Sequence, residues 1–246
     1  MTTFLLLPGA GGEAWYWDRV VPELTARGHE PVAVDLPADD ETVGWADYTA
    51  LALEALGGRP DPVVVAQSMG AYTGALVCAA TKARRLVLVN PMIPAPGESA
   101  GRWWEATRQA EARAEAGFDG FDLERDFLHD MPDDLRADLR RGGRNQSERS
   151  FAEPYPLEAW PEVPTTVLAG ADDRLFPLAF QRRVARERLG LDVVAVPGGH
   201  LNALSRPVEV AEALVAAVRA GERVGGWPAT SPRSRCAGPT RTPTGT

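Results

Sequence analysis

Residues that build disulfide frameworks or metal centres are scarce in this sequence. Its 246 residues include two cysteines and three histidines. Cys78 falls in a predicted buried helix and Cys236 in a polar terminal segment, so neither a disulfide framework nor a four-ligand thiolate metal site is predicted. The sequence implies no metal and no organic cofactor, and we expect a cytoplasmic protein.

The sequence also lacks an excess of positive charge and any long apolar run. Acidic residues number 34 and basic residues 26, which gives a formal net charge of -8. Attraction to nucleic acid or to anionic lipid is therefore not expected. No stretch approaches the about 18 to 20 apolar residues of a membrane helix, and the short apolar run before Pro8 has no basic segment ahead of it, as a signal peptide would. We expect a small-molecule substrate as partner, no nucleic acid and no membrane; the oligomeric state stays open.

What the sequence does contain is an alternation of short apolar runs with longer helical segments. Six runs rich in β-branched residues are candidate strands: TFLLL, PVAV, PVVVA, RLVLV, TTVLA and DVVAV. The segments between them are long enough for helices, and several end at glycine. This alternation predicts an α/β fold, with a mostly parallel sheet of about six strands flanked by helices.

The alternation is interrupted between the fourth and fifth candidate strands. Residues 92–158 contain no convincing strand, but they hold several Trp and Phe residues and helical segments, one of them predicted over residues 101–117. We interpret them as a helical cap inserted into a core formed by residues 1–91 and 159–221. Residues 222–246 are predicted to be disordered, because they have too few apolar residues to offset the entropy of ordering.

A single serine lies where the third candidate strand ends and a helix begins. Ser68 is the centre of AQSMG, residues 66–70, a small-x-Ser-x-Gly pattern in which a sharp turn lifts the hydroxyl above the sheet. Larger side chains at positions 66 and 70 would clash at such a turn. The pattern favours a nucleophile, and the alternative is a serine that caps an ordinary helix.

A serine nucleophile needs a base and an acid that orients the base. His200 follows the last candidate strand on a glycine-containing loop, whereas the other two histidines lie between a helix and a strand and within the predicted cap. Asp172 and Asp173 follow the fifth candidate strand, where an alternative role is to shape a turn. The chain order serine, acid, histidine is that of one known fold, so we predict a catalytic group built on Ser68, His200 and one of these carboxylates.

The segment PGAGGEAWYW follows the first candidate strand. Its small residues allow backbone amides to approach a substrate closely, and we assign the amides of Ala10 and Met69 as the oxyanion hole. The same segment fits a dinucleotide-binding Gly-x-Gly-x-x-Gly turn if Ala14 replaces the last glycine, with Asp35 as the expected acid after the next strand. We favour the hydrolase interpretation because it accounts for the serine, the acid and the histidine together.

These residues resemble the α/β-hydrolase fold family over most of residues 3–220. Within that family the sequence is most similar to the branch of plant methylesterases and hydroxynitrile lyases, through PGAGGEAWYWDRVVPELTARGHEPVAVDLP, DDRLFPLAFQRR and GGHLNALSRPVEVAEAL. The resemblance implies that the acid is Asp173, which precedes Arg-Leu-Phe-Pro, and it agrees with the oxyanion amides of Ala10 and Met69.

Three positions depart from the family's pattern. The usual His-Gly before the oxyanion loop is Pro8-Gly9 here, and the first glycine of Gly-x-Ser-x-Gly is Ala66. Members that cleave cyanohydrins place a lysine beside the catalytic histidine, where this chain has Leu201. Lyase chemistry is therefore disfavoured.

The sequence thus predicts a serine hydrolase that cleaves a small ester through an acyl-enzyme intermediate, as carboxylesterases do. Trp103, Trp104 and Phe127 are predicted to shape an apolar pocket for a hydrophobic or aromatic part of the substrate, unless they form the cap's own core. Two other classes remain open. One is a non-hydrolytic enzyme on the same scaffold (a lyase, cyclase or perhydrolase), and the other is a ligand-binding module.

Overall fold

A computed structural model describes residues 1–140 and 143–219. The segment predicted to be disordered, residues 222–246, lies outside the described residues. The six strands are β1 (Thr3–Leu7), β2 (Glu30–Ala33), β3 (Val63–Gln67), β4 (Arg85–Val89), β5 (Thr165–Gly170) and β6 (Val193–Val196). They form one parallel sheet in the order β2-β1-β3-β4-β5-β6, which confirms the predicted fold class.

Helices connect the strands, and a short 3-10 helix, Ala14–Trp17, follows the loop after β1. In chain order the described α-helices are α1 (Val20–Ala26), α2 (Trp45–Leu56), α3 (Gly70–Ala80), α4 (Ala100–Ala106), α5 (Gln109–Glu115), α6 (Leu123–Asp126), α7 (Asp133–Arg140), α8 (Glu148–Ala152), α9 (Leu178–Leu189), α10 (Asn202–Ser205) and α11 (Pro207–Arg219). None of the helices in the described part of the chain is both long enough and apolar enough to cross a membrane.

The sheet is buried on both faces because side chains alternate along each strand. In β1, Leu5 and Leu7 pack into a cluster with α2, α3 and α9. Phe4 and Leu6, on the opposite face, pack with the 3-10 helix, α1 and α11. The carboxyl ends of the strands are thereby held at one edge, where the loops that follow β1, β3, β5 and β6 meet.

Between β4 and β5 the described residues form five helices, α4 to α8. The helical segment expected over residues 101–117 is divided at Arg108, whose φ of 54° lies in the left-handed region. The carbonyl of Thr107 accepts a hydrogen bond from Arg183 of α9 at 2.6 Å. This contact ties the turn to the core, and α5 begins in a new direction. The assignment of residues 92–158 as a separate cap stays a prediction.

Candidate active site

Ser68 occupies the turn between β3 and α3. Its φ of 50° is unusual for a residue with a side chain. Hydrogen bonds hold this conformation: the Ser68 amide donates to the carbonyl of Val89 at 3.0 Å, and the Ser68 carbonyl accepts from the amide of Met92 at 3.0 Å. A strained turn supported by its neighbours is the arrangement that presents a nucleophile at the end of a strand.

The small residues around Ser68 are required by close packing. A Cβ atom added to Gly70 would lie 2.3 Å from the carbonyl oxygen of Pro8. A Cβ atom added to Gly74, on α3, would lie 2.7 Å from the Cβ of Ala66. The alanine that replaces the family's usual glycine is therefore accommodated by a glycine one helical turn further along α3.

His200 joins Ser68 to Asp173. The Ser68 Oγ lies 3.1 Å from His200 Nε2, and His200 Nδ1 lies 2.8 Å from Asp173 Oδ2. All three side chains are buried. Because a carboxylate only accepts hydrogen bonds, Nδ1 carries the proton, and Nε2 is left to accept the hydrogen bond that the Ser68 hydroxyl donates.

The two neighbouring carboxylates have different partners. Asp173 Oδ1 accepts the amides of Leu175 and Phe176 at 2.9 and 2.8 Å, which orients Oδ2 towards His200. Asp172 is exposed and accepts the amide of Gly198 at 3.2 Å. The structure therefore brings Asp173, and not Asp172, to the imidazole.

Two further side chains support this group, and the sequence interpretation missed both. Asn90 follows β4, and its Nδ2 donates to the carbonyl of His200 at 3.0 Å while its Oδ1 accepts the amide of Gly170 at 2.6 Å. Gln181 donates to Asp173 Oδ2 at 3.3 Å. A polar residue at the carboxyl end of an apolar strand was an available signal for Asn90. Gln181 offered none, because it lies in a helix rich in polar residues.

The loop after β1 presents its amides to the site. Ala10 and Met69 both line the cavity in front of Ser68. Within residues 1–140 and 143–219 neither amide donates a hydrogen bond, so both are available to an oxyanion. The loop is held by a turn in which Gly12 donates to Gly9 at 3.1 Å, and by Gly11, which donates to Gln146 Oε1 at 3.1 Å.

The acid expected for dinucleotide binding is engaged elsewhere. Asp35 accepts the amide of Ala14 at 3.0 Å and pairs with Arg144 at 2.9 Å. The glycines of this loop also have no room for a side chain. A Cβ atom added to Gly11 would lie 2.8 Å from the carbonyl oxygen of Arg144, and a Cβ atom added to Gly12 would lie 2.5 Å from a backbone oxygen. These glycines are explained by close packing of the loop against neighbouring backbone.

A cavity of about 460 Å³ opens above Ser68 and His200. Its remaining side-chain lining is mostly apolar, with Gln67, Met92, Trp104, Gln109, Arg113, Phe121, Phe127, Phe151, Leu175 and Leu201. A second cavity of about 270 Å³ shares Ala10, Gln67, Phe127 and Leu201 with the first. The two cavities therefore adjoin at these residues.

The three aromatic residues predicted for the pocket lie in different places. Trp104 and Phe127 line the larger cavity, and the Phe127 ring lies 5.3 Å from the His200 ring. Trp103 is instead fully buried, and its indole nitrogen donates to the carbonyl of Ile93 at 2.9 Å. Consecutive residues on a helix point about 100° apart, so only Trp104 of the pair faces the cavity. The placement of Trp103 on the pocket wall is corrected accordingly.

The described residues provide no alternative centre built on a metal ion or on a reactive thiol. Across residues 1–140 and 143–219, no three His, Cys, Asp or Glu side chains group in a way that could hold a metal ion. Burial raises the pKa of the Cys78 thiol, which packs in the core. A thiol in such surroundings stays protonated and is a poor nucleophile.

Known proteins with similar sequences or structures include several enzymes. A pyrethroid hydrolase of Sphingobium wenxiniae is 26% identical over 242 residues, which cover 87% of this chain and 86% of the relative. Methylesterase 3 of Arabidopsis thaliana is 32% identical over 124 residues, 45% of this chain and 47% of the relative. The crystal structure of a pyrethroid hydrolase from Sphingobium faniae superposes with a TM-score of 0.72 at 24% identity, covering 89% of this chain and 98% of the other; it shows a shared fold.

The resemblance to the plant methylesterase branch is thus confirmed by the similarity to Methylesterase 3. The alpha/beta hydrolase family model matches residues 4–213. That range includes Ser68, Asp173 and His200 and the amides of Ala10 and Met69. The chain therefore belongs to the alpha/beta hydrolase family.

Proposed function

We propose that this protein hydrolyses carboxylic esters through an acyl-enzyme formed on Ser68. The observation that carries the proposal is the continuous hydrogen-bonded path from Ser68 through His200 to Asp173, at the floor of a largely apolar cavity. The relatives named as hydrolases and esterases support the same reaction class. We assign His200 as the base, Asp173 as the acid that orients it, and the amides of Ala10 and Met69 as the oxyanion hole.

Acylation begins with attack of the Ser68 Oγ on the ester carbonyl carbon. The hydroxyl proton passes to His200 Nε2, and the charge of the resulting imidazolium is offset by Asp173. The carbonyl oxygen becomes an oxyanion, which accepts hydrogen bonds from the two amides. Because neither amide donates to an acceptor among the described residues, no such bond must break first. The tetrahedral intermediate then collapses, the alkoxide leaves with the proton from His200, and the acyl group remains on Ser68.

Deacylation repeats the sequence with water as the nucleophile. His200 removes a proton from water, the hydroxide attacks the acyl carbon, and the oxyanion forms again at the same two amides. Collapse of the second intermediate returns the proton to the Ser68 oxygen and releases the carboxylic acid. Atoms and charge balance without a cofactor.

The cavity lining favours esters with a hydrophobic or aromatic portion. Trp104, Phe127 and Phe151 contribute aromatic surface, and Met92 and Leu175 contribute aliphatic surface. A volume of about 460 Å³ matches a small organic group and is too small for a polymeric substrate.

The experiment that tests the proposal combines covalent labelling with turnover. Wild type and Ser68→Ala are incubated with a fluorophosphonate probe and assayed on chromogenic acyl esters of increasing chain length. We expect labelling and hydrolysis in wild type and neither in Ser68→Ala, with a loss of at least about 10⁴-fold in kcat. Melting curves establish that both proteins are folded, and heat-denatured wild type is the control for nonspecific labelling.

Two outcomes contradict the proposal in different ways. Folded wild type that labels but cleaves no ester points to non-hydrolytic chemistry at an activated serine. Folded wild type that neither labels nor cleaves points to a binding role. In the second case the assigned roles of His200 and Asp173 are wrong as well.

A further inference from the structure

One cationic side chain lines the otherwise uncharged part of the cavity. Arg113, on α5, is buried and contributes to the cavity wall next to Gln109. Of the described residues that line this cavity, only Arg113 carries a fixed formal charge, since His200 is the proposed base. A buried cation beside apolar and aromatic side chains is costly unless hydrogen-bond acceptors or an anion contact it.

The protein satisfies only part of the guanidinium of Arg113. Its Nε donates to the carbonyl of Arg174 at 3.1 Å, and one terminal nitrogen donates to Asp126 at 2.6 Å. A guanidinium has five N–H groups. Among the described residues these are its two hydrogen-bond acceptors, so three N–H groups have no protein acceptor there, on a side chain that lines the cavity.

The anion that pairs with Arg113 is shared. Asp126 is fully buried and also accepts two hydrogen bonds from Arg125, at 2.7 and 2.9 Å. Burial acts to raise the pKa of Asp126, but the hydrogen bond from Arg125 and the charges of both arginines outweigh it, and the pKa lies below its usual range. The carboxyl is therefore ionised, and one negative charge faces two guanidinium groups. Asp119 and Asp122, the nearby acids, act on Arg125.

Gln109 fixes a second polar group beside Arg113. Its Nε2 donates to the carbonyl of Leu175 at 2.6 Å, and the bond sets the orientation of the amide. Arg113 and Gln109 are four residues apart on α5, so they lie on the same side of that helix. Both donate hydrogen bonds to backbone carbonyls of the segment that follows Asp173. These bonds fix the position of the two side chains relative to the proposed site.

We propose that Arg113, with Gln109 beside it, binds an oxygen acceptor on the apolar part of the substrate, remote from the ester bond. The substrate class is then an ester whose hydrophobic or aromatic portion carries a carbonyl, ether or carboxylate oxygen. A purely hydrocarbon group would displace water from Arg113 without replacing its hydrogen bonds, and this loss disfavours binding. The inference rests on the proposed ester hydrolysis and deepens it.

The test uses esters that differ only at the remote end. Methyl 3-arylpropanoates place the ring on the acyl side, and 2-arylethyl acetates place it on the alcohol side. Each ring carries a para methyl, acetyl or carboxylate group, and the two-carbon spacer insulates the ester from the electronic effect of the substituent. In whichever series is cleaved, wild type is expected to favour the acetyl or carboxylate ester over the methyl ester by about 10-fold or more in kcat/KM, mainly through KM. Comparison of acetyl with carboxylate then distinguishes a neutral acceptor from an anion.

Two variants distinguish a hydrogen bond between Arg113 and the substrate from an indirect effect of Arg113 on the structure around Asp126. Arg113→Met is expected to lose the preference for the oxygen-bearing ester. Arg125→Met removes the other guanidinium that contacts Asp126. Because Arg125 does not line the cavity, this variant is expected to keep both the preference and the rate. If both variants lose the preference equally, the effect comes from Asp126 and the inference is overturned.

A binding measurement on wild type keeps the inference testable if Arg113→Met does not fold. Competitive inhibition by 3-arylpropanols, which carry the same ring substituents but no ester, is expected to be tighter for the acetyl or carboxylate compound than for the methyl compound. Equal inhibition, or equal kcat/KM across a series that is cleaved, overturns the inference while leaving ester hydrolysis intact. Failure to cleave any ester overturns the proposed function itself.

Discussion

Asp172 and Asp173 are neighbours in one loop, but their carboxylates make different contacts. Asp173 accepts two backbone amides on one oxygen and contacts His200 with the other, whereas Asp172 is exposed and binds only the amide of Gly198 among the described residues. Backbone bonds of this kind hold a carboxylate in one orientation, which a catalytic imidazole requires to keep a single tautomer.

Replacing these two carboxylates one at a time gives a matched pair. Asp173→Asn is expected to lower kcat by about 10³- to 10⁴-fold, because an amide can donate to Nδ1 and favour the wrong tautomer of His200. Asp172→Asn is expected to stay close to wild type. Steady-state hydrolysis of one chromogenic ester checks both, and equal losses in the two variants would contradict the assignment.

A second prediction concerns Ala66, the alanine that departs from the family's serine motif. Gly74→Ala places a methyl group 2.7 Å from the Cβ of Ala66, an overlap expected to lower the free energy of unfolding by about 1–3 kcal/mol. The double variant Ala66→Gly/Gly74→Ala removes that overlap and is expected to recover most of the loss. Urea denaturation of the single and double variants measures the coupling. Additive losses would mean that these two side chains do not compensate each other.

At the scale of residues, the sequence indicated those positions whose chemistry depends on strand ends. Ser68 and His200 follow apolar strands, and the carboxyl ends of parallel strands meet at one edge of the sheet. Trp103 and Trp104 could not be separated in the same way. Their relative orientation depends on how α4 rotates against the core, and that rotation is decided by tertiary packing.

At the scale of elements, the connection between α6 and α7 contacts the loop that carries His200. Asp130 Oδ2 accepts the amide of Gly199 at 2.8 Å and the hydroxyl of Ser205 at 2.7 Å. A Cβ added to Gly199 would lie 2.7 Å from the ring of His129. The connection therefore packs directly against the backbone next to the proposed base.

We expect Asp130 to position this loop. Asp130→Ala leaves the buried amide of Gly199 without its acceptor, and the free energy of unfolding should fall by about 1.5–3 kcal/mol. The same change should lower kcat on a short ester with little change in KM, since Asp130 does not line the larger cavity. Ser205→Ala removes only one of the two contacts and serves as the control. Reduced stability with unchanged kcat would mean that Asp130 supports the fold alone.

The sequence predicted the helices of the core better than those between β4 and β5. In the core, apolar periodicity and terminal glycines define α2 and α9, which end at Gly57 and Gly190 in the left-handed conformation. Between the strands, the run over residues 101–117 favours one helix throughout. The helix is interrupted at Arg108, next to Thr107, whose carbonyl accepts a hydrogen bond from Arg183. Contacts of this kind, between segments far apart in the sequence, are not contained in local patterns.

At the scale of the whole molecule, the loops at the carboxyl edge of the sheet carry the proposed reacting groups, and side chains from the segment between β4 and β5 line the space above them. The parallel sheet followed from the alternation of strands and helices, because such alternation favours parallel strands with both faces covered; the order of the strands was not predicted. The shape of the enclosed space did not follow, because it depends on side chains from both parts. Phe127 illustrates this dependence, since it lines both cavities and packs on the ring of His200.

Because Phe127 lines both cavities, we expect it to limit the size of the substrate that binds. Phe127→Ala is expected to join the two cavities, of about 460 and 270 Å³, and to shift the optimum of an acyl chain-length series towards longer esters. Short esters should bind less well, because they lose contact with the ring. Phe151→Ala is the matched control: Phe151 lines only the larger of these two cavities, so its removal enlarges that cavity without opening it to the other. The measurement is kcat/KM for each variant across the acyl chain-length series, made on protein that still melts cooperatively. If Phe127→Ala and Phe151→Ala shift the optimum equally, the two cavities are not parts of one substrate site.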